Sequence, residues 1–337
     1  MGAQSARWST GAARIWAEET DLLRGVNYLP RTAVNSVEMW SAEAFDPVTI
    51  DKELMWAQRV GYNGLRVFLQ YIVWRDDPAG FRERFSQFLS IAHYHGMRVL
   101  PVLFDDCSYG GSEPRLGAQP APVPGVHNSR WTPSPGLSMV LDPERWMELR
   151  EYVTDLIGAY GRNERVMGWD IYNEPGNGGL GEESLPLVEA AFSWARDAEP
   201  RQPLTAAVWD DVGSAVSAKL CELSDVISFH AYEAPTAVRR RIEALARHDR
   251  PMICTEWLNR PGGNTFHAMV PLFAEYRIGW IHWGLVAGKT QTNLHWESRE
   301  GDPAPEVWQH DVFYPNGKPF NATELELVRS SGVESLF

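Results

Sequence analysis

Short apolar runs alternate with helix-period segments along nearly the whole of this chain. That alternation is the mark of a parallel sheet whose strands are joined by crossover helices, because parallel neighbours cannot be linked by a tight turn. The apolar runs fall at 23–28, 63–69, 98–104, 166–172, 203–209, 225–230, 252–255 and 279–286, which makes eight strands. Helical patterns lie between them at 49–60, 81–94, 144–160, 184–198, 214–223, 236–248 and 266–276, with a last one at 323–330. Eight strand–helix units predict an α/β fold, a (β/α)₈ TIM barrel in a single domain, over an open doubly wound sheet. No GxGxxG follows any strand, so the dinucleotide-binding alternative lacks its main signal. A length of 337 residues suits one such barrel. Residues 1–22 read as a lead-in packed on the barrel, a plug or first helix, and 23–337 as the barrel itself. The 107–141 connection is rich in Gly and Pro and has no period. A loop that long in a compact domain is usually functional, and its Tyr109, His127, Asn128 and Trp131 suit the wall of a cleft.

The active site of such a barrel lies at the C-terminal ends of its strands. Residues 166–175 (VMGWDIYNEP) run as a buried strand into Asn173-Glu174-Pro175 and then into glycines, which holds a carboxylate at the rim. Three strands later another run ends on Glu256. Strands four and seven lie roughly opposite each other across a barrel mouth, so the two side chains can converge on one ligand. Two facing carboxylates meet the need of glycosidic cleavage: one protonates the leaving oxygen, and the other attacks or activates water. The other strand ends offer Arg66, Asp105, Asp106, Trp209, His230, Tyr232 and Trp283 as substrate-binding candidates, and the connecting loops offer Trp40 and Trp131. Arg66 and Tyr232 are candidates to keep Glu256 ionised, Asn173 to hold a sugar hydroxyl, and Trp283 to wall a ring. Each has a plainer reading beside it: a structural ion pair for Arg66, a core histidine for His230, loop capping for Asp105 and Asp106, and packing for Trp40, Trp131 and Trp209. Lys289, Gln291 and Asn293, in the last loop, are further candidate contacts.

These motifs resemble clan A of the glycoside hydrolases, and most of all its family 5, the cellulase-like barrels. The resemblance rests on Arg66 in GLRVFL, Asn173-Glu174-Pro175, His230-Ala231-Tyr232, Thr255-Glu256-Trp257 and Trp283, and runs over roughly 23–330. It implies a retaining double displacement on a β-linked glycoside, with Glu174 as acid/base and Glu256 as nucleophile, and a carboxyl separation of about 5–5.5 Å. A transglycosidase using the same residues, or a non-catalytic carbohydrate-binding barrel, are the alternatives. Many family 5 members carry a histidine at the end of strand three, where this chain has Phe104-Asp105-Asp106.

Other chemistries find little support. A net charge of −13 argues against nucleic acid and against anionic membrane surfaces, and no apolar run approaches a membrane span. The expected partner is a carbohydrate substrate, with oligomeric state unreadable. No HExxH occurs, and His93 and His95 lie two apart on a helix and face different ways, so no metal and no cofactor is expected. Three cysteines without a CxxC make a disulfide framework unlikely to be the organising device. The first 16 residues lack a signal-peptide core, which points to a cytoplasmic protein unless a leader was removed.

Overall fold

A computed structural model of the protein describes residues 6–331; the expected outer boundaries at residues 1 and 337 lie outside the described residues. Among the described residues there are nine strands: β1 (Arg24–Asn27), β2 (Gly64–Phe68), β3 (Arg98–Asp105), β4 (Trp169–Asn173), β5 (Leu204–Thr205), β6 (Ala207–Val208), β7 (Ile227–Ala231), β8 (Met252–Trp257) and β9 (Gly279–Trp283). All pair in parallel in one sheet of order β5-β4-β3-β2-β1-β9-β8-β7-β6. The two ends of that order are separated by a single residue, Ala206, so β5 and β6 are halves of one interrupted strand and the ring is that of a (β/α)₈ barrel. Side chains bridge the interruption: Ala206 N–H donates to Ser224 Oγ, Leu204 N–H to Asp225 Oδ2, and Thr205 Oγ1 to Ser228 Oγ.

The helices start and stop for local reasons. Asp46 caps Pro47–Val60 by accepting from Thr49 N–H, and proline at the first turn gives up only an amide that has no helical partner. Gly61, at φ +99°, ends that helix in the left-handed conformation. Asp77 caps Pro78–Tyr94 in the same way, three residues earlier than the apolar pattern suggests. Three short helices, Ser36–Trp40, Tyr71–Asp76 and Leu137–Val140, sit inside the connections.

The barrel interior is layered. Leu23, Leu100, Met167, Val226, Ile253 and Ile281 fill its N-terminal end, and Trp16 of the helix Thr10–Glu19 packs against them from below. A charged layer centred on Arg66 comes next, and above it lies an aromatic layer of Phe68 and Trp131 with Val102, against which Trp283 packs. Trp40 belongs to neither. It is fully buried on the helix side among Phe45, Phe81, Phe85 and Phe88, and its Nε1 donates to Phe68 O. The expectation that Trp40 contacts substrate is therefore corrected: it is a packing residue.

Candidate active site

Glu174 follows β4 directly. Its φ of +42° lies in the left-handed region, where a residue with a Cβ is strained. Such strain persists only where the surroundings enforce it. Gly176, at φ +88°, makes the next turn, and a Cβ there would come 2.5 Å from Gly181 O. Glu256 reaches the mouth by a different device. Ser228 and Phe229 pair with Ile253 and Cys254, but His230 pairs with Glu256, so Thr255 is an inserted residue. In an unbroken strand Glu256 would share the outward side of Cys254. The one-residue bulge turns it inward beside His230.

Arg66 holds the floor. It is fully buried and donates from Nε to Asp170 Oδ2 (2.9 Å), from Nη1 to Asn27 Oδ1 (2.9 Å) and Glu256 Oε1 (2.7 Å), and from Nη2 to Asn173 Oδ1 (2.7 Å). Burial works to discharge it, but Asp170 and Glu256 outweigh burial and raise its pKa. Asn173 donates in turn to Asp105 Oδ1 at 2.8 Å. Its amide is thus largely committed to protein partners, leaving one N–H for a ligand.

Glu174 gathers three partners: His230 Nδ1 at 2.7 Å from Oε1, and Cys107 Sγ (2.9 Å) and Asn177 Nδ2 (2.6 Å) at Oε2. Glu256 Oε2 accepts from Tyr232 OH at 3.0 Å. His230 Nε2 lies 3.5 Å from Glu256 Oε1 without a hydrogen-bond partner, so the imidazole stands between the two carboxylates. One atom each of Glu174, His230 and Glu256 lie within 4.8 Å of one another. The same trio is the one group of three potential metal ligands among the described residues, and the Arg66 guanidinium already supplies a cation to it.

The two carboxyls are pushed apart. Burial raises Glu256, Glu174's charge adds to that, and the opposing pull of His230 and Arg66 does not cancel it. Burial also works to raise Glu174, yet the donors His230, Cys107 and Asn177 win and lower it. Arg66 favours the Glu256 anion, as expected of it, but burial outweighs that pull and leaves the carboxyl raised.

A cavity of about 230 Å³ opens over the pair, lined by Asn173, Glu174, Tyr232, Glu256, Trp131 and Trp283, and further by Cys107, Tyr109, His127, Asn128, Trp296 and His310. Arg66 and His230 are not part of the lining; Arg66 donates to Glu256 and His230 hydrogen-bonds Glu174. Asp105 and Asp106 do not line it. Asp105 accepts from Asn173, Trp131 Nε1 and Cys107 N–H, and Asp106 from Tyr172, Ser184 and Gly176 N–H. Both are loop-capping groups, and burial pushes Asp106 up to about 6. Trp209 is also away from the cavity lining, its Nε1 donating to Pro175 O behind the Glu174 turn. Lys289 pairs with Glu38, and Gln291 ties Val123, Gly125 and Val126 of the long loop. These two hold the loops, not the cavity. Sequence reasoning passed over Cys107, Asn177, Trp296 and His310. Cys107 follows the Asp105-Asp106 strand end directly, a position signal that was available. Trp296 and His310 come from irregular loop, where no period marks them.

No family model and none of the curated proteins matches this sequence. Solved structures do match in fold. An exo-β-1,4-mannosidase from Opitutaceae bacterium strain TAV5 is 17% identical with a TM-score of 0.65, over 94% of this chain and 60% of that one. An endo-β-1,4-mannanase from Thermotoga petrophila is 16% identical with a TM-score of 0.61, over 94% and 77%. GH5_18 from Streptomyces cattleya, in complex with Manβ1-4GlcNAc, is 14% identical with a TM-score of 0.58, over 92% and 79%. The chain therefore has the barrel fold that family 5 glycoside hydrolases use. Among the described residues no helix is long and apolar enough to cross a membrane.

Proposed function

We propose that this protein is a retaining β-glycoside hydrolase that works by double displacement. The observation that carries the reading is the approach of Glu174 and Glu256, which put one oxygen each within 4.8 Å. That closeness supports the retaining arrangement, in which the carboxyl groups stand about 5–5.5 Å apart, over the about 6.5–9.5 Å of inversion. Glu256 attacks the anomeric carbon, held in place by Arg66 and Tyr232. Glu174 protonates the leaving oxygen, then takes a proton from water in the second step. The free site leans against that distribution, since donors hold Glu174 low and burial holds Glu256 high. A bound sugar that displaces water strengthens the burial that already works to raise Glu174, so the carboxyl takes up its proton from solvent as the sugar binds. Aromatic faces at Trp131, Trp283 and Trp296 suit a sugar ring, and a 230 Å³ cavity is small, which favours oligosaccharides or small glycosides.

The test is a panel of aryl β-glycosides, led by the mannoside because several fold neighbours are named mannanase or mannosidase. Wild type, Glu174→Ala and Glu256→Ala are compared, with azide added. The expected result is turnover of one sugar by wild type. Azide then rescues Glu256→Ala to the α-glycosyl azide and Glu174→Ala to the β-glycosyl azide. Rescue in the reverse pattern would swap the two roles. Unimpaired turnover by either alanine variant would remove the mechanism. Added alcohol acceptors separate hydrolysis from transglycosylation by their products.

A further inference from the structure

One wall of the cavity carries acceptors that nothing among the described residues satisfies. His127 Nδ1 lies 2.8 Å from Leu294 O, and His310 Nδ1 lies 2.6 Å from Leu258 O. A carbonyl oxygen only accepts, so each Nδ1 carries the proton and each neutral ring leaves Nε2 as a bare acceptor. Neither Nε2 has a hydrogen-bond partner among the described residues, and both rings line the cavity. The rings meet edge to face with centroids 5.5 Å apart, and Tyr109, Tyr232 and Trp296 pack around them. Burial lowers His127 to about 4 and holds His310 well below the usual imidazole value, so both stay neutral near neutrality. Asn128, beside His127 and 4% exposed, makes no side-chain hydrogen bond among the described residues, and its Oδ1 is buried and unpartnered there. The buried Asn128 Oδ1 is costly to leave unmet, and the two imidazole acceptors on the cavity wall are open to a ligand's donors.

We propose that His127, His310 and the Asn128 amide form a hydroxyl-reading subsite of the cavity, which takes a neutral polyhydroxy sugar unit and rejects a unit bearing a carboxylate at that position. This rests on the glycosidase reading and names the substrate class for it. Sugar hydroxyls bring the donors the wall lacks. A carboxylate brings none, and it meets bare nitrogen lone pairs in a cavity that already holds Glu174 and Glu256.

The experiment uses β-1,4-mannobiose and cellobiose as neutral probes, with two charged forms of each: the non-reducing sugar oxidised to the uronate and the reducing sugar oxidised to the aldonate. Wild type should cleave a neutral probe and lose at least about tenfold in kcat/KM on the form whose charge meets the wall. His127→Phe and His310→Phe keep a ring but remove the acceptor. Each should raise KM for the neutral probe about tenfold with kcat nearly unchanged. Asn128→Asp, an isosteric change that leaves packing intact, should widen the gap between neutral and charged probes even if the phenylalanine variants fold poorly. Equal use of neutral and charged forms by wild type overturns the proposal and leaves the glycosidase reading standing. So does an unchanged KM in folded His127→Phe and His310→Phe. If neither the disaccharides nor the aryl glycosides are cleaved, the glycosidase reading falls and the subsite with it.

Discussion

At the scale of single residues, the proposed acid/base carboxyl, Glu174, is set by what donates to it. Asn177 Nδ2 at 2.6 Å and Cys107 Sγ at 2.9 Å both reach Glu174 Oε2, and both favour the anion. Removing a donor to an ionised group raises its pKa. Asn177→Ala should therefore move the basic limb of kcat/KM, where Glu174 loses its proton, up by about one pH unit. A pH profile that stays put, or moves down, would show that Asn177 does not govern this carboxyl. Arg66 is the opposite case, since its loss strands charge. Arg66→Met leaves Asp170 and Glu256 buried without their cation, and such breakage costs about 3–5 kcal/mol. Urea unfolding of the variant should record a loss of that size; a change under about 1 kcal/mol would mean the carboxyls are already neutral. Much of this was legible in the sequence, because strands ending on Asn173-Glu174 and on Glu256 bring both carboxyls to the same rim of the sheet, though they do not show which way Glu256 faces. The partners of those side chains were not legible. Asn177 and Cys107 reach Glu174 only because Gly176 and a strained φ at Glu174 fold the turn back, and no period announces that.

At the scale of elements, sequence period located the strands and most helices, since burial on one or both faces leaves a pattern that local residues carry. Register left no such pattern. The break at Ala206 and the extra residue at Thr255 depend on which neighbour each strand meets, and both decide function: the bulge is what turns Glu256 into the mouth. The short helices inside the connections were missed for a related reason, since four to six residues hold too little period to read. Trp40 misled because a tryptophan in a loop near the mouth looks like a ligand wall until its neighbours Phe81, Phe85 and Phe88 are known. The N-terminal helix Thr10–Glu19 gives the cleanest separation of stability from catalysis. Its Trp16 covers the apolar cluster at the end of the barrel away from the carboxylates. Trp16→Ala should lower stability by about 2 kcal/mol through lost apolar burial, with KM and kcat unchanged at a temperature where the variant is folded. A Tm equal to wild type would show that the helix does not hold this end closed, and an altered KM would show that the two ends are coupled.

At the scale of the whole molecule, the proton balance of folding is set by two buried groups of opposite sense. Glu53 and Asp311 are pushed up by burial to about 7, and Asp106 to about 6. A carboxyl whose folded pKa is raised stabilises most below its unfolded value, and that advantage is lost as pH rises through the folded value. Burial also raises Asp105 and Asp170. His127 and His282 are pushed down to about 4 and about 3, and His310 well below the usual imidazole value, again by burial. A histidine held neutral stabilises above its unfolded pKa of about 6.5, and that stability is lost as pH falls toward the folded value. Between about pH 5 and 7 the two sets oppose, because the folded protein keeps carboxyl protons that the unfolded chain releases, while the unfolded chain takes up imidazole protons that the fold refuses. Below about pH 5 the unfolded carboxyls begin to bind protons as well, so their stabilisation stops growing while the histidine penalty keeps growing. Tm should therefore be broadly flat from about pH 7 to 5, fall below about 5, and decline gently above about 7 as Glu53 and Asp311 ionise. Calorimetry across pH 4 to 8 would measure it. A Tm that climbs steadily from pH 5 to 8 would mean the buried carboxyls are not holding their protons, and the charged layer under the site would then carry more negative charge than Arg66 alone can balance.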